Sequence, residues 1–373
     1  MNRLHYASSE HDADMLFAAG FFVPDAFLYF ESRKQRHIVL SQLEYDRGVK
    51  QACVDRVHNL SEIVDRLQKK GATRVPTANW IVEILRRHHV RKVQLSPDFP
   101  VGLADALRKR GIRADIATKT LFPERLRKNR DQLKHLRAAL RVTAGLLEVA
   151  IAVLRHSRVG KNRVLRLGGS SLTSERVQSV IRMEAAKRGF EASHPIVAGG
   201  RQACDPHERG HGPLRANELI IIDVFPRDLR TGYWGDMTRT VVKGRASEAQ
   251  RRLFETVHQG QKLAFARLKS GVDGCVVHEA VTAYFRSKGY ETGNKSGRHE
   301  GFFHGTGHGL GLDIHEEPRV SSISQLLQTG NVVTVEPGLY YGNIGGVRIE
   351  DVAAIRRGGA DRLSHFPVRL ELP

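Results

Sequence analysis

Residues 299–318 read HEGFFHGTGHGLGLDIHEEP, a segment that is rich in both histidine and glycine. Every second position from 305 to 311 is glycine, which has no side chain and lets other backbone segments approach closely. His304, His308 and His315 add imidazole nitrogens, which bind transition metals and exchange protons near neutral pH. The segment therefore predicts a tightly packed loop at a site of chemistry.

Four carboxylates lie on either side of this loop, inside predicted strands where an apolar residue would be usual: Asp223 in IIIDV, Asp236 in GYWGDMTRT, Glu336 in VVTVEPG and Glu350 in GVRIEDV. One such residue alone would favour a salt bridge or a strand end. Four of them predict a concentrated source of positive charge, because a buried carboxylate needs a charge partner, a metal or a shifted pKa. Four carboxylates and one imidazole match two divalent cations, and this oxygen-rich set suits Mn²⁺, Co²⁺ or Zn²⁺.

The surrounding pattern divides the chain near residue 125, into predicted domains 1–125 and 126–373. Residues 26–45 predict a hairpin, and helices alternate with strands up to about residue 120, as in a small α/β domain. A long helix then begins the second domain. Its further predicted elements are helices near 174–189, 247–269 and 276–289 and the strand pairs 218–224 with 232–242 and 331–338 with 346–355.

Composition narrows the class of protein. The chain has 373 residues, of which 40% are hydrophobic, and it contains no long uncharged apolar run, so we expect a cytoplasmic protein without a membrane segment. Its three cysteines show neither a CxxC spacing nor a disulfide framework. The net charge is +19, and residues 126–190 hold 15 basic and 4 acidic side chains. A solvated helix face is the favoured interpretation of that stretch, ahead of a nucleic-acid surface.

The motifs IIIDV, GDMTRT, HGTGHGLGLDIHEEP, VEPGLYY and GVRIED together resemble the pita-bread metallopeptidases, specifically the branch of Xaa-Pro aminopeptidases and Xaa-Pro dipeptidases (prolidases). The resemblance spans roughly 126–373, while 1–125 resembles the smaller creatinase-type α/β domain that precedes it. The implied fold class is α+β, with a pita-bread catalytic domain. Methionine aminopeptidases share this fold but have their last ligand in a different local sequence, which favours a proline-directed peptidase.

The resemblance implies a role for each carboxylate. It makes Asp223 a ligand of one metal ion, His308 and Glu336 ligands of the other, and Asp236 and Glu350 bridges between both. A hydroxide held between the two ions, with Mn²⁺ preferred over Co²⁺ or Zn²⁺, would attack the carbonyl before proline. Glu336 would carry the proton to the departing imide nitrogen.

Four other residues would line the substrate pocket by the same resemblance. His207, His304 and His315 would donate hydrogen bonds to a developing oxyanion or to the proline residue. Arg348 would face the pocket or pair with the ligand carboxylates, and His211 competes with His207 for its place. The implied substrate is a peptide or dipeptide with proline in the second position, and a homodimer is implied as well.

The chain also departs from the family pattern. Val224 and Phe225 follow Asp223 where the family often has a glycine, and the turn to Asp236 is longer, so pocket shape and specificity stay open. Cys204, three residues before His207, is interpreted as a buried inert thiol in preference to a group at the site.

Three alternatives remain at this point. The sequence does not separate a dipeptidase from an aminopeptidase. A non-catalytic pita-bread protein would bind nucleic acid or an acidic partner through the basic stretch 126–190. A metal-free hydrolase of the creatinase kind would share the architecture, but five retained ligands argue against both non-metal alternatives.

Overall fold

The computed structural model describes residues 1–295 and 297–373. The chain divides into two compact units, Met1–Arg125 and Leu126–Pro373, and each is described by itself. Within the described residues, no helix is long and apolar enough to span a membrane.

The first unit is built on a six-stranded sheet in the order β4-β3-β2-β1-β5-β6. Its strands are β1 (Asn2–Ala7), β2 (Phe27–Ser32), β3 (Gln35–Leu40), β4 (Arg56–Asn59), β5 (Lys92–Leu95) and β6 (Arg113–Ile116). Its helices are α1 (Ala13–Ala19), α2 (Gln42–Gln51), α3 (Leu60–Lys69), α4 (Thr77–Arg87) and α5 (Val101–Lys109). Helix α4 buries Ile81, Ile84 and Leu85 on one face, the spacing that a core-facing helix requires.

The predicted hairpin of the first unit is confirmed, because β2 and β3 pair antiparallel. Its turn is shorter than the polar segment 31–37 suggested, since pairing continues to Ser32 opposite Gln35. Only Arg33 and Lys34 form the turn, and both adopt the positive φ that a tight two-residue turn needs.

The second unit begins with the predicted long helix and continues through smaller sheets. Its helices are α6 (Arg130–His156), α7 (Ser174–Lys187), α8 (Glu248–Arg267) and α9 (Gly274–Ser287). Its strands are β7 (Arg158–Val159), β8 (Leu165–Leu167), β9 (Ser170–Ser171), β10 (Phe190–Glu191), β11 (Ile196–Gly199), β12 (Leu219–Val224), β13 (Arg227–Asp228), β14 (Met237–Lys243), β15 (Gly293–Lys295), β16 (Arg298–Glu300), β17 (Gly307–Gly309), β18 (Glu316–Val320), β19 (Val332–Val335), β20 (Gly338–Tyr341), β21 (Gly345–Arg348), β22 (Asp351–Ile355), β23 (Ala360–Arg362) and β24 (Glu371–Leu372).

The core of the second unit is formed by two sheets together with the helices α6 to α9. One sheet has the order β11-β12-β14-β24 and the other the order β18-β17-β19-β22-β23. Ser247 caps α8 as predicted: its side chain accepts from the Gln250 amide, and the Gln250 side chain accepts from the Ser247 amide. The predicted pairing of the last two long strands is confirmed by the antiparallel register of β19 with β22.

The basic stretch 126–190 only partly forms a solvated surface. Most of its cations are exposed, for example Arg141 on α6 and Arg182 on α7. Lys128 is instead buried in an ion pair with Glu316, just before α6 begins. Lys128 is therefore part of an internal ion pair and does not belong to the solvated surface.

We expect Gly307→Ala to destabilise the second unit. A Cβ at this position would lie 1.9 Å from the carbonyl oxygen of Thr334, so β17 would have to move away from its neighbour β19. Such overpacking typically costs about 1–3 kcal/mol. Thermal unfolding measures the effect, and Gly358→Ala, where nothing lies within 4 Å of the new Cβ, is the matched control. Equal melting temperatures for the two variants would contradict this close approach.

Candidate metal centre

The carboxylates converge from the ends of strands in both sheets. Asp223 lies within β12, opposite Thr238 of β14. Asp236 comes directly before β14, Glu336 directly after β19, and Glu350 between β21 and β22. The prediction that all four lie inside strands is therefore wrong for three of them. All four residues lie at or near the ends of strands, and these strands belong to different sheets, so their side chains can meet at one point.

His308 enters this cluster from the glycine-rich segment. Its backbone N–H donates to Thr334 Oγ1 at 3.0 Å, and its Nδ1–H donates to the carbonyl oxygen of Gly309 at 3.1 Å. These contacts direct Nε2 at the carboxylates, 3.1 Å from Glu336 Oε1 and 3.8 Å from Asp236 Oδ2. A histidine that ligates a metal is held in this way, by a hydrogen bond from its other nitrogen.

Three of these residues already form a compact donor set. Asp236, His308 and Glu350 can each offer one ligand atom so that all three atoms lie within 4.8 Å of one another. Asp223 and Glu336 are close enough to raise the pKa of both Asp236 and Glu350. The structure thus brings all five sequence-predicted metal ligands together.

Burial and mutual repulsion set the protonation of the cluster. Burial, and then the charge of Asp223, raises the pKa of Asp236 well above its ordinary value, and burial followed by Asp236 does the same for Glu350. Burial also raises the pKa of Asp223, although Arg348 opposes the shift. Glu336 differs, because the hydrogen bond and charge of His308, together with His304 and Arg348, outweigh the effect of burial and lower its pKa to about 2. Burial opposes the charged form of His308, but Glu336, Asp236 and the Gly309 carbonyl together raise its pKa to about 9.

This donor set fits divalent metal ions. Asp223 Oδ1 is buried and has no hydrogen-bond partner, an arrangement that costs free energy unless a cation or proton compensates it. Carboxylate oxygens with a single imidazole are the donors that Mn²⁺, Co²⁺ and Zn²⁺ accept.

Arg348 pairs with one of the carboxylates, one of the two positions the sequence left open for it. Its Nη2 lies 2.7 Å from Asp223 Oδ2 and its Nη1 lies 3.1 Å from the Tyr340 hydroxyl. Nη1 also donates to the carbonyl oxygen of Pro206 at 3.2 Å. This buried guanidinium offsets part of the negative charge, and its ion pair directs Asp223.

His304 contacts the same tyrosine from the other side. Its Nδ1–H donates to the carbonyl oxygen of Gly305 at 2.8 Å, so in the neutral ring Nε2 accepts from the Tyr340 hydroxyl at 2.9 Å. Burial lowers the pKa of His304 to about 4, which keeps the ring neutral near pH 7. A continuous chain of contacts therefore runs from Asp223 through Arg348 and Tyr340 to His304.

The other two candidate histidines lie at the open side of the cluster. His315 is exposed, and its ring packs edge-on against His308 with centroids 4.4 Å apart. Although the residue is exposed, partial desolvation of its ring and then the charge of His308 lower the pKa of His315 to about 4. His207 acts electrostatically on both His304 and His315, so it lies in the same part of the unit, whereas His211 is exposed and lies 3.6 Å from Glu208.

Three hydroxyl residues of the site escaped the sequence analysis. Tyr340 links Arg348 to His304, Thr238 donates to Glu350 Oε2 at 2.8 Å, and Thr334 donates to Glu336 Oε1 at 3.1 Å. The two threonines lie on the strands β14 and β19, two residues from a ligand, Asp236 and Glu336 respectively. Residues two apart in a strand lie on the same face, so this spacing could have indicated that the two threonines face the ligands.

Cys204 stays outside the donor set. It is buried in a small apolar cluster, its Sγ donates to the carbonyl oxygen of Tyr341 at 3.4 Å, and burial raises the pKa of the thiol. These surroundings favour an inert thiol, as the sequence suggested.

Comparison with known proteins places this arrangement in context. The sequence profile of metallopeptidase family M24 matches residues 134–357 of this chain. The Xaa-Pro dipeptidase of Pyrococcus furiosus is 34% identical over 191 residues, which cover 51% of this chain and 51% of the relative. The uncharacterized peptidase YqhT of Bacillus subtilis is 36% identical over 177 residues, 47% of each chain. The chain thus spans about half the length of the curated relatives it matches.

Solved structures resemble the chain over nearly its whole length. An Xaa-Pro dipeptidase from Bacillus anthracis has a TM-score of 0.80 at 23% identity and covers 99% of this chain and 94% of its own. An X-Pro aminopeptidase from Thermotoga maritima has a TM-score of 0.80 at 18% identity, with 99% and 97% covered. These likenesses confirm the fold class expected from the sequence.

We expect metal binding to release protons. Asp236, Glu350 and His308 have raised pKa values, so each keeps its proton to a higher pH than usual and must lose it before it can ligate a cation. Metal affinity should therefore rise with pH and be lost as the pH falls through these raised pKa values. Calorimetric titration with Mn²⁺ at pH 7, in buffers of different ionisation enthalpy, counts the protons released.

The matched variants for this titration are Asp236→Asn and Asp361→Asn. The first removes a raised-pKa ligand and should lower both the proton count and the bound metal. The second changes an exposed carboxylate paired with Arg356 and should leave both as in the unaltered protein. Metal binding without proton release would contradict the protonation described above.

Proposed function

Because this chain belongs to metallopeptidase family M24, we propose that it is a dinuclear metal-dependent peptidase that hydrolyses the bond before proline. The family membership confirms the resemblance inferred from the motifs. The bond before proline is a tertiary amide without an N–H, so a dedicated site that polarises its carbonyl is useful. Both an Xaa-Pro dipeptidase and an Xaa-Pro aminopeptidase activity are consistent with this site.

The observation that carries the proposal is the convergence of four carboxylates and one imidazole with an unpartnered buried oxygen on Asp223. We assign Asp223 to one ion, His308 and Glu336 to the other, and Asp236 and Glu350 to both. Two divalent ions, with Mn²⁺ preferred, would lower the pKa of a water molecule and polarise the scissile carbonyl when bound.

The side chains around the ligands would handle the substrate and its protons. Glu336 would accept a proton from the attacking water and return it to the imide nitrogen of proline. His207 and His315 are exposed at the open side, where their ring N–H groups would reach a substrate carbonyl or carboxylate. His304 has both ring nitrogens occupied by Gly305 and Tyr340, so we propose that it acts through the Tyr340 hydroxyl.

We also propose a cytoplasmic homodimer. The dimer is supported by the family resemblance alone. The location is supported by Cys53, Cys204 and Cys275, which are free thiols, as a reducing compartment would keep them. Light scattering of the purified full-length chain tests the dimer.

Product analysis tests the proposed reaction. The full chain, either stripped of metal or loaded with Mn²⁺, is incubated with Xaa-Pro dipeptides, Xaa-Pro-Xaa tripeptides and peptides that begin with methionine. We expect metal-dependent release of the residue before proline, measured by mass spectrometry. Preference for the dipeptide or the tripeptide separates the two activities. No cleavage with metal demonstrably bound would overturn the proposal and favour a binding role for the basic stretch 126–190.

The Tyr340 hydroxyl should matter for turnover more than for metal content. Tyr340→Phe removes the group that joins Arg348 to His304, and loss of such supporting contacts typically costs about 10–100-fold in activity. We expect kcat to fall by about tenfold or more while Mn²⁺ content is unchanged. The control is Tyr341→Phe. The hydroxyl of Tyr341 donates to the carbonyl oxygen of Glu291, which is not one of the proposed ligands. Equal kcat values for the two variants would show that the linkage has no role.

A further inference from the structure

Three histidines of the first unit form a second cluster that the proposed peptidase reaction does not use. His37 lies on β3, His58 on the neighbouring edge strand β4, and His88 at the C-terminal cap of α4. In sequence they are far apart, so only folding brings them together. One ring nitrogen from each can be chosen so that all three atoms lie within 4.8 Å of one another.

The distances are close to those of a metal site. His37 Nδ1 and His58 Nε2 are 3.0 Å apart. Nitrogens bound to Zn²⁺ at about 2.0–2.1 Å in a tetrahedron lie about 3.3–3.4 Å from one another. The rings of His88 and His37 have centroids 4.6 Å apart, and those of His88 and His58 are 5.2 Å apart. Small rotations of the His58 and His88 side chains, which are both half-buried, would bring the third nitrogen to the same point.

The contacts of His37 prepare it as a ligand. Its ring is buried and stacks on Phe30 at a centroid distance of 4.6 Å. Its Nε2 lies 3.1 Å from the buried Ser32 Oγ. With the Nε2 proton donated to Ser32, the lone pair of Nδ1 points at His58. A ligating histidine is ordinarily oriented by a partner of its second nitrogen in this manner.

The rings are also in the protonation state that a metal needs. Burial lowers the pKa of His37 and of His58 to about 4, so both are neutral near pH 7. Burial also lowers the pKa of His88. Neutral imidazole is the form that binds metal ions.

The surrounding charges decide which metals suit the cluster. Arg56 and Arg87 act on His58, and Arg33 acts on His88. Asp55 is a carboxylate that acts on His37, and it pairs with Arg36. Ions that bind mainly through charge to oxygen, such as Mg²⁺ and Mn²⁺, are therefore disfavoured here. Ions that gain from nitrogen ligands, such as Zn²⁺, are favoured.

We propose that His37, His58 and His88 form a binding site for one zinc-type transition-metal ion, separate from the carboxylate cluster. The ion joins the edge strand β4 to the interior strand β3 and to the end of α4. A short edge strand such as β4, with four residues, gains from this additional attachment. The competing explanation is a packed histidine cluster that binds no metal.

Zinc content of matched full-length variants tests the proposal. Chelator-treated protein is dialysed against buffered Zn²⁺ and its metal is counted by mass spectrometry. We expect His88→Gln and His58→Gln each to hold about one Zn²⁺ per chain fewer than the unaltered protein. His89→Asn is the control, because His89 is the exposed neighbour of His88, has a φ of 57° that asparagine tolerates, and should keep the full zinc content.

A second measurement does not depend on stoichiometry. Zinc that binds only the folded state raises the melting temperature, and part of this rise should be lost in His88→Gln but kept in His89→Asn. Equal zinc content and equal zinc-induced shifts in the two variants would overturn the proposal and leave the packed cluster. Neither readout uses peptidase activity, so the outcome is independent of the function proposed above.

Discussion

The second unit depends on the concentration of negative charge at one point inside it. Asp223, Asp236 and Glu350 are buried and Glu336 is half-buried, so their mutual repulsion and their loss of hydration both oppose folding. His308 and Arg348 compensate part of this charge, and the raised pKa values of Asp236 and Glu350 favour their uncharged forms. Bound divalent cations would replace the protons of these forms. The concentration of buried negative charge therefore destabilises the metal-free fold and at the same time favours the binding of divalent cations.

The framework behind the ligands explains how such a cluster is held together. Arg239, fully buried on β14, pairs with Asp351 at 2.9 Å and also donates to the carbonyl oxygen of Glu350, so it joins the sheet of Asp223 to strand β22, which begins directly after Glu350. Gln261 of α8 donates to the carbonyl oxygens of Val335 and Ile349, each next to a ligand. Breaking the Arg239–Asp351 pair would leave a buried charge uncompensated, and breaking the Gln261 contacts would leave buried carbonyl oxygens without a donor. The ligands are thus fixed by groups that need not touch a metal themselves.

The two histidine-containing clusters among the described residues offer different ligand atoms to a metal ion. The cluster of the second unit is rich in oxygen donors and negative charge, which suits Mn²⁺ and similar ions. The cluster of the first unit offers only neutral nitrogen donors among several arginines. The nitrogen-only set of the first unit disfavours Mn²⁺, whereas the carboxylate set of the second unit accepts both Mn²⁺ and Zn²⁺.

The sequence by itself determined the fold family and the ligand candidates of the second unit. Asp223 and the other carboxylates stand out because burying a charged side chain among apolar residues costs free energy unless a partner compensates it. His308 stands out because it lies in a segment rich in glycine and histidine. Tyr340 and Thr334 did not stand out, since hydroxyl side chains are ordinary in strands and acquire meaning only from the atoms they face. Likewise, nothing in the sequence indicated that His37, His58 and His88 form a cluster, because they are far apart along the chain and no motif surrounds any of them. Only the tertiary structure decided these contacts, since it brings together in space groups that are distant along the chain.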